Sequence, residues 1–286
     1  MSWRPQAPTA LDYFASLVHS DVDFPLLEAA ASLGQMWTPE LDVQAVLEEV
    51  DRMLARLLER IPEGADDLTR LALLNQQFHG DWGFALNRNH YHDPRNSDIA
   101  RVLHTRRGIP VSLAVLWIEL ARGLQLQADG ISFPGHFLVK VHLDAGLVVL
   151  DPVSGESLGV DALAERLAPF RGEIDRQALA DLDEGETPLG LYLQSCPPRD
   201  WLARMLRNLK DIEQTQERWP ELLKVLDRLV ILLPEAWSER RDRGLVHAEL
   251  GHAGLALTDL QVYLRECPQA PDAKALQRRM ETLGGA

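Results

Sequence analysis

Three separated positions carry the residue types of an acyl-transfer site. Ser112 closes the run Gly108-Ile-Pro-Val-Ser112, His136 follows Phe133-Pro-Gly135, and Asp151 stands in Leu150-Asp-Pro152. The order is nucleophile, histidine, acid. The apolar run from Pro110 through Arg122 predicts a helix ended by Gly123, and Ser112 then falls in its first turn. Unsatisfied backbone N–H groups and the positive end of the dipole favour an anion or a developing oxyanion there. His136 and Asp151 fall on neighbouring predicted strands joined by a tight turn, where a carboxylate could fix the imidazole tautomer. Each residue alone has a plainer reading: a helix cap for the serine, a core residue for the histidine, a turn for Asp-Pro.

The elements that must hold these residues follow from periodicity. From Leu11 to Phe78 apolar residues recur at helical spacing, including Leu41, Val43, Val46, Leu47, Val50, Leu54, Leu57 and Leu58, with Pro39 just inside a start after Thr38. This predicts a helical N-terminal lobe. Asp81 to Ser97 breaks the period and is rich in Asn, Asp, His and Gly, a long ordered loop of the kind that often lines a site. A short helix over Asp98 to Thr105 and a turn at Arg107-Gly-Ile-Pro110 lead into the Ser112 helix. Ile131–Phe133, Phe137–Leu143 and Leu147–Leu150, split by Pro134-Gly135 and Asp144-Ala-Gly146, read as strands of one antiparallel sheet. Helices followed by strands give an α+β layout. Asp161 to about Asp183 is helical and acidic, and Glu184-Gly-Glu-Thr-Pro188 marks a domain end, giving a first domain over residues 1–190 and a second over 198–286.

The second domain is all helix and repeats. Pro234 and Pro268 lie 268 − 234 = 34 residues apart, and Leu226 and Leu260 keep that interval. This is the period of tetratricopeptide hairpins. Gly244, Ala256, Leu260 and Pro268 fit the small, small, bulky and helix-stopping positions of one unit. The unit before it has Lys210 and Leu222 at the first two and fits only at Leu226 and Pro234.

Composition bounds the partners. Lys plus Arg number 29 against 43 Asp plus Glu, a net charge of −14 that repels a phosphate backbone, so nucleic acid is not an expected partner. The candidate basic patch, Arg101 to Arg107, reads as a local structural cluster. No apolar run approaches a membrane span, and no secretory leader is legible in the first residues. Cys196 and Cys267 are too far apart in sequence to give a disulfide framework or metal-ligand spacing, which suits a reducing, cytoplasmic setting. His247 and His252 are five apart rather than the four a zinc-protease helix needs, and are expected at the surface. His79, His90, His92 and His104 have no ligand spacing. No metal and no cofactor is expected.

Asp93-Pro-Arg-Asn-Ser97, Arg107-Gly-Ile-Pro-Val-Ser112, Gly130-Ile-Ser-Phe-Pro-Gly-His-Phe137 and Leu150-Asp-Pro152 together resemble the transglutaminase-like superfamily. Within it they are most similar to a bacterial family named for an invasion-gene regulator. The resemblance implies a papain-like α+β core with a nucleophile at a helix start and His and Asp on two following strands. It also implies C-terminal tetratricopeptide repeats. Ser112 stands where the active enzymes of the superfamily carry cysteine. A helix start and a histidine bring a thiol into the physiological range but leave a hydroxyl protonated, so thiolate chemistry is excluded at this position. The resulting expectation is a pseudoenzyme: a cytoplasmic, regulatory module that binds a protein or peptide partner. The alternative is an amide or ester hydrolase in which His136 takes the proton of Ser112 and Asp151 orients the imidazole. A third reading makes the three residues mere ties between helix and sheet. Candidate binding residues around them are Asn87, Tyr91, His92, Arg107, Phe133 and Gly135, with the Asn87–Ser97 loop expected to pack over the cleft.

Overall fold

A computed structural model of the chain describes residues 8–170 and 189–284. By contacts these form two compact units: residues 26–34 with 40–170 and 189–201, and residues 8–25, 35–39 and 202–284. The expected acidic helix beyond residue 170 and the expected domain end at Glu184–Pro188 lie outside the described residues. The first helix, α1 (Ala10–Leu17), opens on a reciprocal cap between Thr9 and Asp12. It was expected with the N-terminal lobe but belongs to the unit of the C-terminal helices, where Arg228 stacks on Phe14 at 5.7 Å.

The α+β unit is built round one buried helix. Helices α2 (Leu26–Ser32), α3 (Val43–Leu58), α4 (Asp67–Asn75) and α5 (Ile99–Thr105) precede α6 (Pro110–Gly123), in which every residue from Pro110 to Leu120 except Glu119 is buried. Its first nine residues are apolar nearly all round because they have no solvent face, and only the last turn, with Arg122, reaches water. The helices α2 to α5 and two strands of the main sheet all pack on it. Asp42, not Thr38, caps α3, its carboxylate accepting from Gln44 and Ala45 at 3.0 and 3.2 Å. A carboxylate with two donors outcompetes a Thr-Pro start four residues earlier. Gly123 does close α6 as expected, but the left-handed residue is Gln125 (φ 64°), and a Cβ at Gly123 would strike the Leu54 side chain.

Two short strands, β1 (Ala85–Leu86) and β2 (Arg107–Gly108), pair in parallel, so part of the expected loop and of the expected turn is a ladder. The main sheet is antiparallel in the order β3 (Gln127–Ile131), β4 (Leu138–Leu143), β5 (Gly146–Leu150), as expected for one antiparallel sheet. Strand β3 starts four residues earlier than expected and ends at Ile131. Its exposed Gln127 and half-exposed Asp129 alternate with buried Ala128 and Gly130, and a run with polar outward positions is not apolar enough to stand out. A following helix, α7 (Val160–Leu167), packs its Leu163 and Leu167 with Phe133, Leu138 and Val149 of the sheet layer.

The helical unit continues through α8 (Pro198–Thr215), α9 (Trp219–Leu232), α10 (Trp237–Glu249), α11 (Ala253–Glu266) and α12 (Ala273–Gly284). Gly244 lets α10 close on α11: a Cβ there would stand 3.0 Å from Leu260 Cγ and 3.1 Å from Asp259 Cβ. Lys210, at the corresponding position of the first hairpin, instead sends its ammonium to Glu239 at 2.7 Å and to Asp242. A half-buried long side chain survives there because two carboxylates receive it. His247, expected at the surface, is buried, with its Nδ1 3.3 Å from Nδ1 of His252.

Trp201, the last residue of the α+β unit, ties its two layers together. Its indole donates to the Val111 carbonyl at 3.2 Å, in the first turn of α6, and its ring lies against Phe137 at 4.5 Å. Gly130 makes room for both rings: a Cβ there would lie 2.7 Å from Trp201 Cε3 and 2.8 Å from Phe137 Cε1. Both rings are buried, so neither can swing away. Gly130→Ala is expected to destabilise this unit by about 1–3 kcal/mol, read as a shift of the urea midpoint at unchanged slope.

Candidate functional site

Ser112 is the third residue of α6 and is completely buried. Its hydroxyl accepts the Ile109 N–H at 3.1 Å and donates to the Ile109 carbonyl at 3.0 Å. Ile109 precedes the helix and has no polar side chain, so the serine reaches back to satisfy backbone groups that burial cuts off from water. Gly108 gives it space, since a Cβ there would stand 2.8 Å from the Ser112 oxygen. The run Gly108-Ile-Pro-Val-Ser112 is therefore a helix start with a local reason for each polar or special residue: room, a proline at the first helical position, and a returning cap.

The structure brings His136 and Asp151 together. His136 lies in the turn after Gly135 and Asp151 follows β5. The imidazole Nε2 stands 3.1 Å from Asp151 Oδ2. Arg166 of α7 donates to the same oxygen at 2.7 Å, and the Val153 N–H donates to Oδ1 at 3.0 Å. Burial alone would raise the Asp151 pKa, but these hydrogen bonds, with His136 and Arg166 foremost, hold the carboxyl well below the usual carboxylate range. An ionised carboxylate only accepts, which places the histidine proton on Nε2. His136 keeps an exposed edge, with 23% of its side chain open to solvent, whereas Asp151 is buried.

The other candidate residues fall in three settings. Asn87 donates to Asn96 Oδ1 at 2.8 Å, and buried Asn96 donates in turn to the His90 and Tyr91 carbonyls at 2.7 and 2.9 Å. Tyr91 and His92 are exposed and meet edge to face at 5.3 Å. The short 3₁₀ turn of this loop (Pro94–Ser97) packs on α6 and β2. Arg107 is exposed and donates to the Gly83 and Arg106 carbonyls at 2.7 and 2.9 Å. Phe133 is wholly buried in the sheet core, and Gly135 (φ 67°) turns the chain where a Cβ would collide with the Phe170 ring.

Four residues not singled out from the sequence complete the surroundings of Asp151. Arg166 is one, and the others form a relay: the Trp117 indole of α6 donates to Asn75 Oδ1 at 3.0 Å, and the Asn75 amide donates to the Gly155 carbonyl at 3.3 Å. Gly155 N–H bonds the Asp151 carbonyl at 2.7 Å. His79, on a π-helical turn (Gln76–Asp81), packs against Gly155, and its burial lowers its pKa against the opposing pull of Asp151. The polar Asn75 and His79 within an apolar periodic stretch were the available signal; a lone arginine on α7 gave none.

Comparison with known proteins places residues 44–207 on the model of the transglutaminase-like superfamily and residues 209–281 on that of the tetratricopeptide repeat. The chain belongs to the transglutaminase-like superfamily. It is 36% identical to a UPF0162 protein of Xylella fastidiosa over 87% of this chain and 86% of that one. A UPF0162 protein of Vibrio cholerae is 30% identical over 92% and 95%. Protein SirB1 of Salmonella typhimurium is 28% identical over 91% and 93%. No solved structure matches the chain. A transglutaminase-like domain followed by tetratricopeptide helices is thus the architecture of residues 44–281, and the four motifs that suggested it lie inside the matched span.

The Asp151 hydrogen bonds make a pH prediction for this transglutaminase-like domain. The folded carboxyl binds its proton less readily than the unfolded one, whose value is near 3.8. Its stabilisation is therefore complete above that value and is lost as pH falls through the lower folded value. Asp151→Asn should flatten the acid limb of the stability curve below about pH 4 relative to the parent. Parallel acid titrations followed by tryptophan fluorescence check it, and superimposable limbs would refute it.

Proposed function

We propose that this chain is a non-catalytic, regulatory protein-interaction module of the cytoplasm. In this reading the transglutaminase-like fold is kept as a binding scaffold and the helical hairpins supply a second docking surface for a protein or peptide. The observation that carries the proposal is the Ser112 hydroxyl: it is completely buried, and the Ile109 backbone takes both its proton and a lone pair. A nucleophile in that state has to give up the cap of its own helix before it can attack. Stacked hairpins with close contacts at Gly244 fit partner recognition along an extended face. The two cysteines, Cys196 and Cys267, are free thiols, in keeping with a reducing compartment.

One observation favours the second reading, a serine-dependent amide or ester hydrolase. The His136–Asp151 pair is intact, and the imidazole is partly open to solvent. Labelling with a fluorophosphonate separates the two. The scaffold reading expects no modification of Ser112 and a loss of about 1–2 kcal/mol of stability in Ser112→Ala, because the Ile109 N–H loses its partner. Stoichiometric labelling of Ser112 that disappears in His136→Ala would overturn it in favour of the hydrolase.

A further inference from the structure

The helical unit neutralises many of its cations locally: Arg207, Lys210, Arg241, Arg243 and Arg279 each face a carboxylate. One stretch of the transglutaminase-like domain departs from that pattern. Arg88 to Arg107 holds five arginines and three histidines against two acids, Asp93 and Asp98, in a chain whose net charge is −14. Asp98 is buried and caps α5. Arg106 also turns inward, over the Phe84 ring at 4.8 Å and toward Glu49. What remains outside is cationic: Arg88, Arg95, Arg101 and Arg107 are exposed, as are His90 and His92. Among the described residues, Arg88, Arg95 and Arg107 have no carboxylate within ion-pair distance, and Arg101 has only Asp93, at 3.6 Å and partly solvated.

This surface is held in shape rather than draped over the domain. Asn96 ties the His90–Tyr91 tip, the Asp93 carboxylate accepts the Arg95 N–H at 2.9 Å, and β1 pairs with β2 up to Gly108. Thr105 joins α5 to β2, its hydroxyl donating to the Arg101 carbonyl at 2.8 Å and to that of Arg107 at 3.3 Å. The backbone that carries these arginines is fixed, and the Arg107 guanidinium is itself held by the Gly83 and Arg106 carbonyls. The loop therefore loses little further backbone freedom on meeting an anion, and guanidinium groups can grip carboxylates in bidentate fashion. Tyr91, 44% exposed at the tip, adds an apolar ring beside the charges.

We propose that this face, formed by the 88–95 loop, the exposed edge of α5 and β2, docks an acidic polypeptide segment of a partner protein. Charge complementarity names the occupant. A short acidic segment needs only the patch, whereas a nucleic acid continues past it onto a molecule of net charge −14 and is repelled there. The proposal gives the interaction role above a chemical class of partner, and rests on that role, but uses none of the Ser112 evidence.

The test titrates the full-length chain into a fluorescein-labelled oligoglutamate peptide and reads anisotropy. Saturable binding is expected, weakening steeply between about 0.05 M and 0.3 M salt. The double variant Arg88→Glu/Arg95→Glu, with an unchanged melting temperature, should bind about tenfold more weakly or worse. Arg52→Glu/Arg56→Glu, on the exposed face of α3, makes the same change in net charge elsewhere and should stay within about twofold of the parent. Three results would each overturn the proposal: equal binding by the first variant, equal weakening by the second, or tighter binding of an oligothymidylate of the same charge. Any of these with Ser112 still unlabelled by fluorophosphonate leaves the scaffold reading standing, and labelled Ser112 with intact peptide binding does the reverse.

Discussion

A helix that starts inside the protein has no water to satisfy its first turn, and α6, buried from Pro110 to Ile118, is such a helix. Its first turn must find every donor and acceptor inside the protein. The arrangement round it follows from that constraint. Gly108 is small so that Ser112 can fold back on Ile109, and Pro110 removes one donor at the first helical position. The Val111 carbonyl is reached by the indole of Trp201, 90 residues further along the chain. That indole also lies on Phe137, next to His136, so the helix start and the histidine turn share one support. The Ser112 hydroxyl is a part of the helix's own closure.

Asp151 is the second fixed point, and its role is electrostatic. A buried carboxylate is costly without partners, and three elements supply them: the turn bearing His136, α7 with Arg166, and the carboxylate's own loop through Val153. Backbone bonds at Gly155 and the Asn75–Trp117 relay connect that loop to α4 and α6. The pair is thus positioned by hydrogen bonds that a purely structural role also requires. An intact His–Asp couple is for this reason a weaker sign of catalysis than the state of the serine hydroxyl.

In the helical unit the same logic separates the two repeats. Gly244 and Leu260 reproduce the close crossing that a 34-residue repeat depends on. Lys210 departs from it and is tolerated because Glu239 and Asp242 receive the ammonium. Arg243 bridges Asp259 and Asp227 in the same manner. Local pairing of charge here is what makes the unpaired arginines near the 88–95 loop conspicuous.

The sequence by itself determined the α+β class, the antiparallel sheet, the helix that carries Ser112 in its first turn and the repeat period. Each of these is written in local spacing: period 3.6 against period 2, turn residues, and a fixed interval of 34. Motif order was enough to suggest the family. Local spacing could not show that β3 begins at Gln127, because its outward positions are polar, nor that Arg107 and Gly108 form a ladder with Ala85 and Leu86. It could not decide whether a serine at a helix start is a cap or a nucleophile, since the residue type suits both. Only the tertiary structure decided that its hydroxyl is enclosed and taken by Ile109, that Arg166 shares Asp151 with His136, and that Arg106 turns inward while its neighbours remain exposed. These are facts about burial and about partners distant in sequence, and a residue's exposure to water is a property of the fold around it.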